Sequence, residues 1–265
     1  ATLASVATTP TAGPVIHADP ALNGADDTRV DVVAAGLRVN AGAGIGASVN
    51  HLDTAVGTLA ARATAGGIYV SESDDLIVGD VTVTVQRVNS AGGTAAVSDA
   101  VQSDIVTTAG NGNIVLATGA GNIVLNDGAA TADDMAVASA GGNVLLQTLS
   151  ATGTIIANAD VTSAGGNVSV LAGGSVAFNL TADITTSGSI NAEAATGSIT
   201  QSTTSVFSSA SDIRLLAALN VTVGRITTSA NVSVTATAGT IFDADPLVAG
   251  ADDGNLDIVA SGLRM

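Results

Sequence analysis

The chain has 265 residues and a net charge of −16, from 21 Asp and two Glu against seven Arg and no Lys; it has 31 Gly, no Cys, no Trp and four aromatic residues. So acidic a chain lacks the cations that phosphate binding needs, and without Cys it is neither a disulfide scaffold nor a thiolate metal site. With 46% hydrophobic and 11% charged residues it is no disordered tail, and polar residues interrupt every apolar stretch before it could span a membrane.

Residues 12–39 read AGPVIHADPALNGADDTRVDVVAAGLRV, and residues 238–265 read AGTIFDADPLVAGADDGNLDIVASGLRM. The two align without a gap at an offset of 226, with 15 of 28 positions identical. Thr2, Ala4 and Val6 match Thr228, Ala230 and Val232 at the same offset. This predicts one continuous β-helix segment over 1–265: the end of a preceding repeat (1–11), one full repeat of about 226 residues (12–237) and the start of the next (238–265). The expected parent is a longer tandem array.

Asn40 to Gly46 is a glycine-rich turn region. Its GAGIGA imitates a dinucleotide fingerprint, but no helix-forming segment follows, so a phosphate loop is not expected there. TLAARAT, GIYVSES and DDLIVGDVTVTVQRV then read as strands with longer excursions between them. Residues 40–111 are the one stretch irregular enough for a binding surface. GAATADD, residues 128–134, is expected as a loop.

Beyond it the pattern is regular. NVLLQ at Asn143, NVSVL at Asn167, SINAE at Ser189, DIRLL at Asp212 and NVSVT at Asn231 start 24, 22, 23 and 19 residues apart. Two more strand-like pieces fill each of the next intervals, such as GSVAFN and ADITTSG. Alternation of apolar and polar residues gives each strand one buried and one wet face. A single coil cannot bury its inner face alone and needs coils above and below. Three short strands per interval predict an all-β fold, a parallel β-helix of about 22 residues per coil and about eleven coils. Gly, Asn and Ser are expected at the corners, where Gly and Asn tolerate positive φ.

GGNVSVLAGGSVAF, ADITTSGSI and TATAGTIFDADP resemble the filamentous-haemagglutinin-like adhesins and related giant repetitive bacterial surface proteins. The longer module, with DTAVGTLAARATAGGIYVSESDDL and ITQSTTSVF, is similar to repeat units of such proteins. The resemblance covers essentially the whole chain, most clearly 105–265. It implies a right-handed β-helix, an extracellular or cell-surface location, and adhesion or structure as the role.

The residues offer little chemistry. The only histidines are His17 and His51, and the second copy has Asp243 where the first has His17, so neither a triad nor a zinc site is expected. Adjacent Asp pairs (Asp26/Asp27, Asp74/Asp75, Asp133/Asp134, Asp252/Asp253) point to opposite sides of a strand and read as solvated turns. A polysaccharide-cleaving β-helix enzyme is the alternative function. It would need two carboxylates at a defined separation, and the chain has few aromatic platforms for sugar. The one ligand with a repeated pattern is calcium. Asp19, Asp26, Asp27 and Asp31 recur as Asp245, Asp252, Asp253 and Asp257, and calcium takes carboxylate and carbonyl oxygens. The sequons at Asn167, Asn179, Asn220 and Asn231 read as corner asparagines rather than glycosylation sites.

The expected role is therefore a non-enzymatic structural module. Its partners would be neighbouring copies stacked end to end, with lateral packing of fibres, no nucleic acid and no membrane span.

Overall fold

The computed structural model describes residues 4–18, 29–129, 133–180, 182–245 and 254–265. Within them the chain is all-β: 25 strands join one parallel sheet, and two more form a separate antiparallel hairpin. No described helix is long and apolar enough to cross a membrane. The sheet winds as a β-helix, since successive strands along the chain move to the next face and pair with the strand one coil before.

Face A carries Ile68–Glu72, Ile114–Thr118, Val144–Thr148, Val168–Ala172, Ile190–Ala194, Ile213–Ala217, Asn231–Ala236 and Gly262–Arg264. Face B runs from Leu76–Val78 to Ile241–Asp243, and face C from Ile105–Thr107 to Ile258–Val259. One apolar ladder on face A marks the coils: Val15, Ile45, Ile68, Ile114, Val144, Val168, Ile190, Ile213, Val232 and Leu263, each paired with the next. The described residues therefore make ten levels here, against the eleven expected from length. From Val144 to Val232 the rungs are 24, 22, 23 and 19 residues apart, which is the interval read from the sequence.

Inward residues alternate with half-buried or exposed ones, as in Val168, Val170 and Ala172 around Ser169 and Leu171. The interior is aliphatic apart from Phe178 and Phe207, which meet edge to face with ring centroids 4.7 Å apart. Such a pair adds about 0.5–1.5 kcal/mol beyond the area it buries.

The corners differ from expectation in their physics. Positive φ is not why Gly142 and Gly166 are glycine. A Cβ on Gly142 would fall 2.3 Å from the Gly112 carbonyl oxygen, and one on Gly166 would fall 2.2 Å from that of Gly142. Coils approach too closely there for any side chain. Beside each glycine stands an asparagine whose amide oxygen accepts a backbone N–H from the next coil: Asn143 donates to Asn113 at 2.9 Å, Asn167 to Asn143 at 2.8 Å and Ser189 to Asn167 at 2.9 Å. This gives the corner asparagines, sequon Asn167 included, a structural task.

A second polar column faces inward on face C: Thr107, Ser139, Ser163, Thr186, Ser209 and Thr228. Each hydroxyl tends a glycine corner. Ser163 Oγ donates to the Gly142 carbonyl at 2.7 Å and accepts the Gly166 N–H at 2.9 Å. The alternation rule alone does not foresee hydroxyls inside.

The first coils are built differently. Val32–Ala41 and Leu52–Ala63 are single long strands that pair along their length, from Val32↔Thr54 to Ala41↔Ala63. Leu52–Ala63 then meets all three faces of the next coil: Leu52 pairs with Val70, Leu59 with Val78 and Ala61 with Ile105. The GAGIGA segment supplies a rung rather than a phosphate loop, since Ile45 is fully buried between Val15 and Ile68. The excursion expected in 40–111 is the hairpin Thr84–Val88 with Thr94–Ser98, exposed at every residue.

Candidate functional site

The 226-residue offset brings two acidic corners into comparison. In the first, His17, Asp31 and Asp53 converge. Asp31 precedes the strand Val32–Ala41 and Asp53 lies in Leu52–Ala63, so pairing of those two strands aligns them. The Asp31 N–H donates to the Asp53 carbonyl at 2.8 Å, and the Asp53 N–H donates to Asp31 Oδ2 at 3.1 Å. His17 is inserted between the carboxylates, with Nε2 3.3 Å from Asp31 Oδ1 and Nδ1 3.8 Å from Asp53 Oδ2. Its Nδ1 also lies 3.1 Å from the His51 carbonyl oxygen. His17 and Asp53 are 6% and 5% exposed. When protonated, His17 offsets part of the charge of two carboxylates held out of water.

In the second corner Asp243, Asp245 and Asp257 each bring a carboxylate oxygen within 4.8 Å of the others, and the Asp245 N–H donates to Asp243 Oδ1 at 2.7 Å. Asp243 stands at the repeat position of His17, and Asp257 at that of Asp31.

Of the eight aspartates expected to bind calcium, Asp31, Asp245 and Asp257 are in these corners. Asp19, Asp26, Asp27, Asp252 and Asp253 lie outside the described residues. The second corner offers three carboxylates and suits a hard, oxygen-seeking cation, whereas the first mixes an imidazole with two carboxylates. The sequence reading set His17 aside and did not name Asp53. Only the pairing of two strands 20 residues apart places Asp53 beside Asp31, and no local motif announces that.

Other acids serve the coil. Asp75 Oδ1 accepts the N–H of Asn122 at 2.8 Å, and Asp133 Oδ1 that of Met135 at 3.3 Å, in keeping with their reading as turn residues. Asp160 Oδ1 accepts the Asp183 N–H at 2.8 Å, and Asp183 Oδ1 accepts the Val206 N–H at 2.7 Å. Burial, then the charges of Asp183, Asp134 and Asp133, push Asp160 up to about 6, against the opposing backbone hydrogen bond; burial raises Asp183 as well. These perturbed carboxylates are tied to backbone amides, the role asparagine has in the neighbouring corner. Glu72, wholly buried on face A, accepts from Thr54 Oγ1 at 2.7 Å and from the Val56 N–H at 3.0 Å, and burial raises its pKa.

No protein-family model, curated protein or solved structure matches the chain.

Proposed function

We propose that this chain is a structural repeat module of a giant extracellular fibre, stalk or adhesin at the bacterial cell surface, with modules following end to end in an elongated filament. The observation that carries the reading is the ladder of ten rungs, Val15 to Leu263, with repeat-related strands near its two ends. A parallel stack spends its residues on length and stiffness, and stacked strands rise about 4.8 Å per coil. The filamentous-haemagglutinin-like resemblance and the acidic surface, which keeps fibres apart in solution, support the same role. The polar side chains of the corners are engaged in holding coils together, which favours a non-enzymatic role.

Negative-stain imaging of the purified chain tests the shape: short rods of constant width are expected, and globular particles would end the proposal. Antibody labelling of intact source cells tests the place; signal only after lysis would refute a surface location. Titration with millimolar calcium chloride tests the corner ligand. Heat that disappears in Asp257→Asn is expected if calcium belongs to this reading, and no heat removes it.

A further inference from the structure

We infer that the outer edge of the last coil, Ile258–Val259 with Gly262–Arg264, is a docking edge for a strand of the Leu52–Ala63 type, the strand with which a following module would continue. The inference rests on the module reading above and names what the edge takes.

The inner side of this edge repeats an arrangement already present in the chain. Val6 pairs with Leu37 and Ala7 with Arg38; at the offset of 226, Val232 pairs with Leu263 and Ser233 with Arg264. The outer side differs. Leu37 is covered by Leu59, Arg38 by Ala60 and Val39 by Ala61, all from Leu52–Ala63. Leu263 and Met265 have no such cover in the described chain. Leu37 is 1% exposed and Leu263 51%; Val39 is 0% and Met265 68%. An open parallel edge carrying two bare apolar side chains is a template for one more strand. The strand that fits is known from the first copy, because it already seats on the same sequence.

The polar groups agree. In the first copy the incoming strand donates the Asp53 N–H to Asp31 Oδ2 and accepts the Asp31 N–H at its carbonyl. Asp257 holds the position of Asp31, so the same exchange would align an incoming strand here and bring a further carboxylate to Asp243 and Asp257.

The leading edge of a second copy is a poorer occupant. Its Val6–Thr8 strand is the counterpart of the start of Asn231–Ala236, whose inner neighbour is Ile213–Ala217. Butting two chains together would set Leu263 against Val6 rather than against a Leu59-type residue, two coils out of phase. The repeat also turns about the axis. Leu37 belongs to the column of Leu59, Val78 and Leu125 on face B, whereas Leu263 belongs to face A. A strand docked at this edge therefore begins its module one face further round.

The test extends the intact chain beyond Met265 by a copy of residues 40–63, with a scrambled copy as control. Seating of the native extension is expected to raise the melting temperature and to slow amide exchange in Gly262–Arg264 about tenfold or more; the scrambled one should do neither. Equal behaviour of the two extensions overturns the inference. A synthetic 40–63 peptide added to the unextended chain gives the same reading without altering the fold: protection of Gly262–Arg264 supports it, and none at saturating peptide counts against it. Concentration-dependent association of unextended chains, abolished by Leu263→Asp, would show that the edge takes a second copy and would refute the choice of strand. These readouts come from one chain in solution. Failure of the surface-fibre reading leaves them standing, and their failure leaves that reading intact.

Discussion

Residues 12–39 and 238–265 are nearly the same sequence in two different situations. In the first, Val32–Ala41 is one strand of ten residues, sandwiched between coils. In the second, the corresponding stretch breaks into Ile258–Val259 and Gly262–Arg264, with a neighbour on one side only. The residues at the break, Ala260 and Ser261, stand where the first copy has Ala34 and Ala35 within its strand. Local propensity barely differs, so the second neighbour is what makes the strand continuous. In a stacked fold a strand is a property of the stack rather than of its own residues.

Breaking this comparison most forcefully takes a leucine from each copy. Leu37→Ala removes a side chain packed between Val6 and Leu59 and is expected to cost about 2–5 kcal/mol. Leu263→Ala removes a half-exposed side chain and should change stability by no more than about 0.5–1 kcal/mol. Denaturant unfolding of both variants measures the difference. Equal losses would mean that the last coil is already covered in solution.

Coverage alone does not decide the sign of a contact, and two threonines sharpen that point. Thr118 and Thr148 are paired neighbours in one inward column and both are buried. Thr148 Oγ1 donates to the Gly153 carbonyl at 2.9 Å and accepts the Gly173 N–H at 3.0 Å, whereas Thr118 Oγ1 has no hydrogen-bond partner among the described residues. A buried hydroxyl without a partner costs about 1–3 kcal/mol, and removing a paired one leaves its partners unsatisfied. Thr118→Val is therefore expected to stabilise the chain by about 1 kcal/mol, and Thr148→Val to destabilise it by about 1–2 kcal/mol. Thermal melts that shift the same way for both would contradict the assignment.

The sequence carried most of the coil. Apolar alternation in NVSVL and its relatives, with the 19–24-residue interval, sets the register seen from Val144 to Val232. The inward hydroxyls were legible in hindsight as a Ser or Thr before a small-residue corner: Ser139 and Ser163 each precede Ala-Gly-Gly, and Thr186 precedes Ser-Gly. They escaped notice because alternation assigns a hydroxyl to water unless the carbonyl it meets is known. The corner of His17, Asp31 and Asp53 was beyond reach for a different reason. Its members come from separate coils, and the long strands Val32–Ala41 and Leu52–Ala63 do not share the later period.

The middle coils carry their own charge burden, and it gives a smaller, pH-dependent effect. The Asp160 carboxyl is raised to about 6, so between its ordinary range near 3.8 and about 6 the folded chain binds a proton that the unfolded chain has released. Stability from this group therefore rises as pH falls from 7 towards 4, with Asp183 acting in the same direction. Asp160→Asn keeps an amide oxygen for the Asp183 N–H and removes the charge. It is expected to raise stability at pH 7 and to flatten the slope between pH 7 and 4. An unchanged slope in urea melts would show that the carboxylate is solvated after all.

The smallest effect is expected beside the covered copy. The hairpin Thr84–Val88 and Thr94–Ser98 is exposed throughout and makes its own two-stranded sheet. It is anchored at its base, where Gln102 Nε2 donates to the Val39 carbonyl at 2.8 Å and the Asp99 N–H donates to the Val83 carbonyl at 2.9 Å. Replacing residues 84–98 by an Asn-Gly turn joins Val83 to Asp99 across that existing bond and leaves Gln102 in place. A two-residue turn of this type suits the twist of the paired strands. Stability should move by less than about 0.5 kcal/mol, and amide protection in Val32–Ala41 should stay as it was. Loss of protection there would mean that the hairpin, as well as Leu52–Ala63, holds the first copy in its extended form, and the difference between the two copies would then have two causes instead of one.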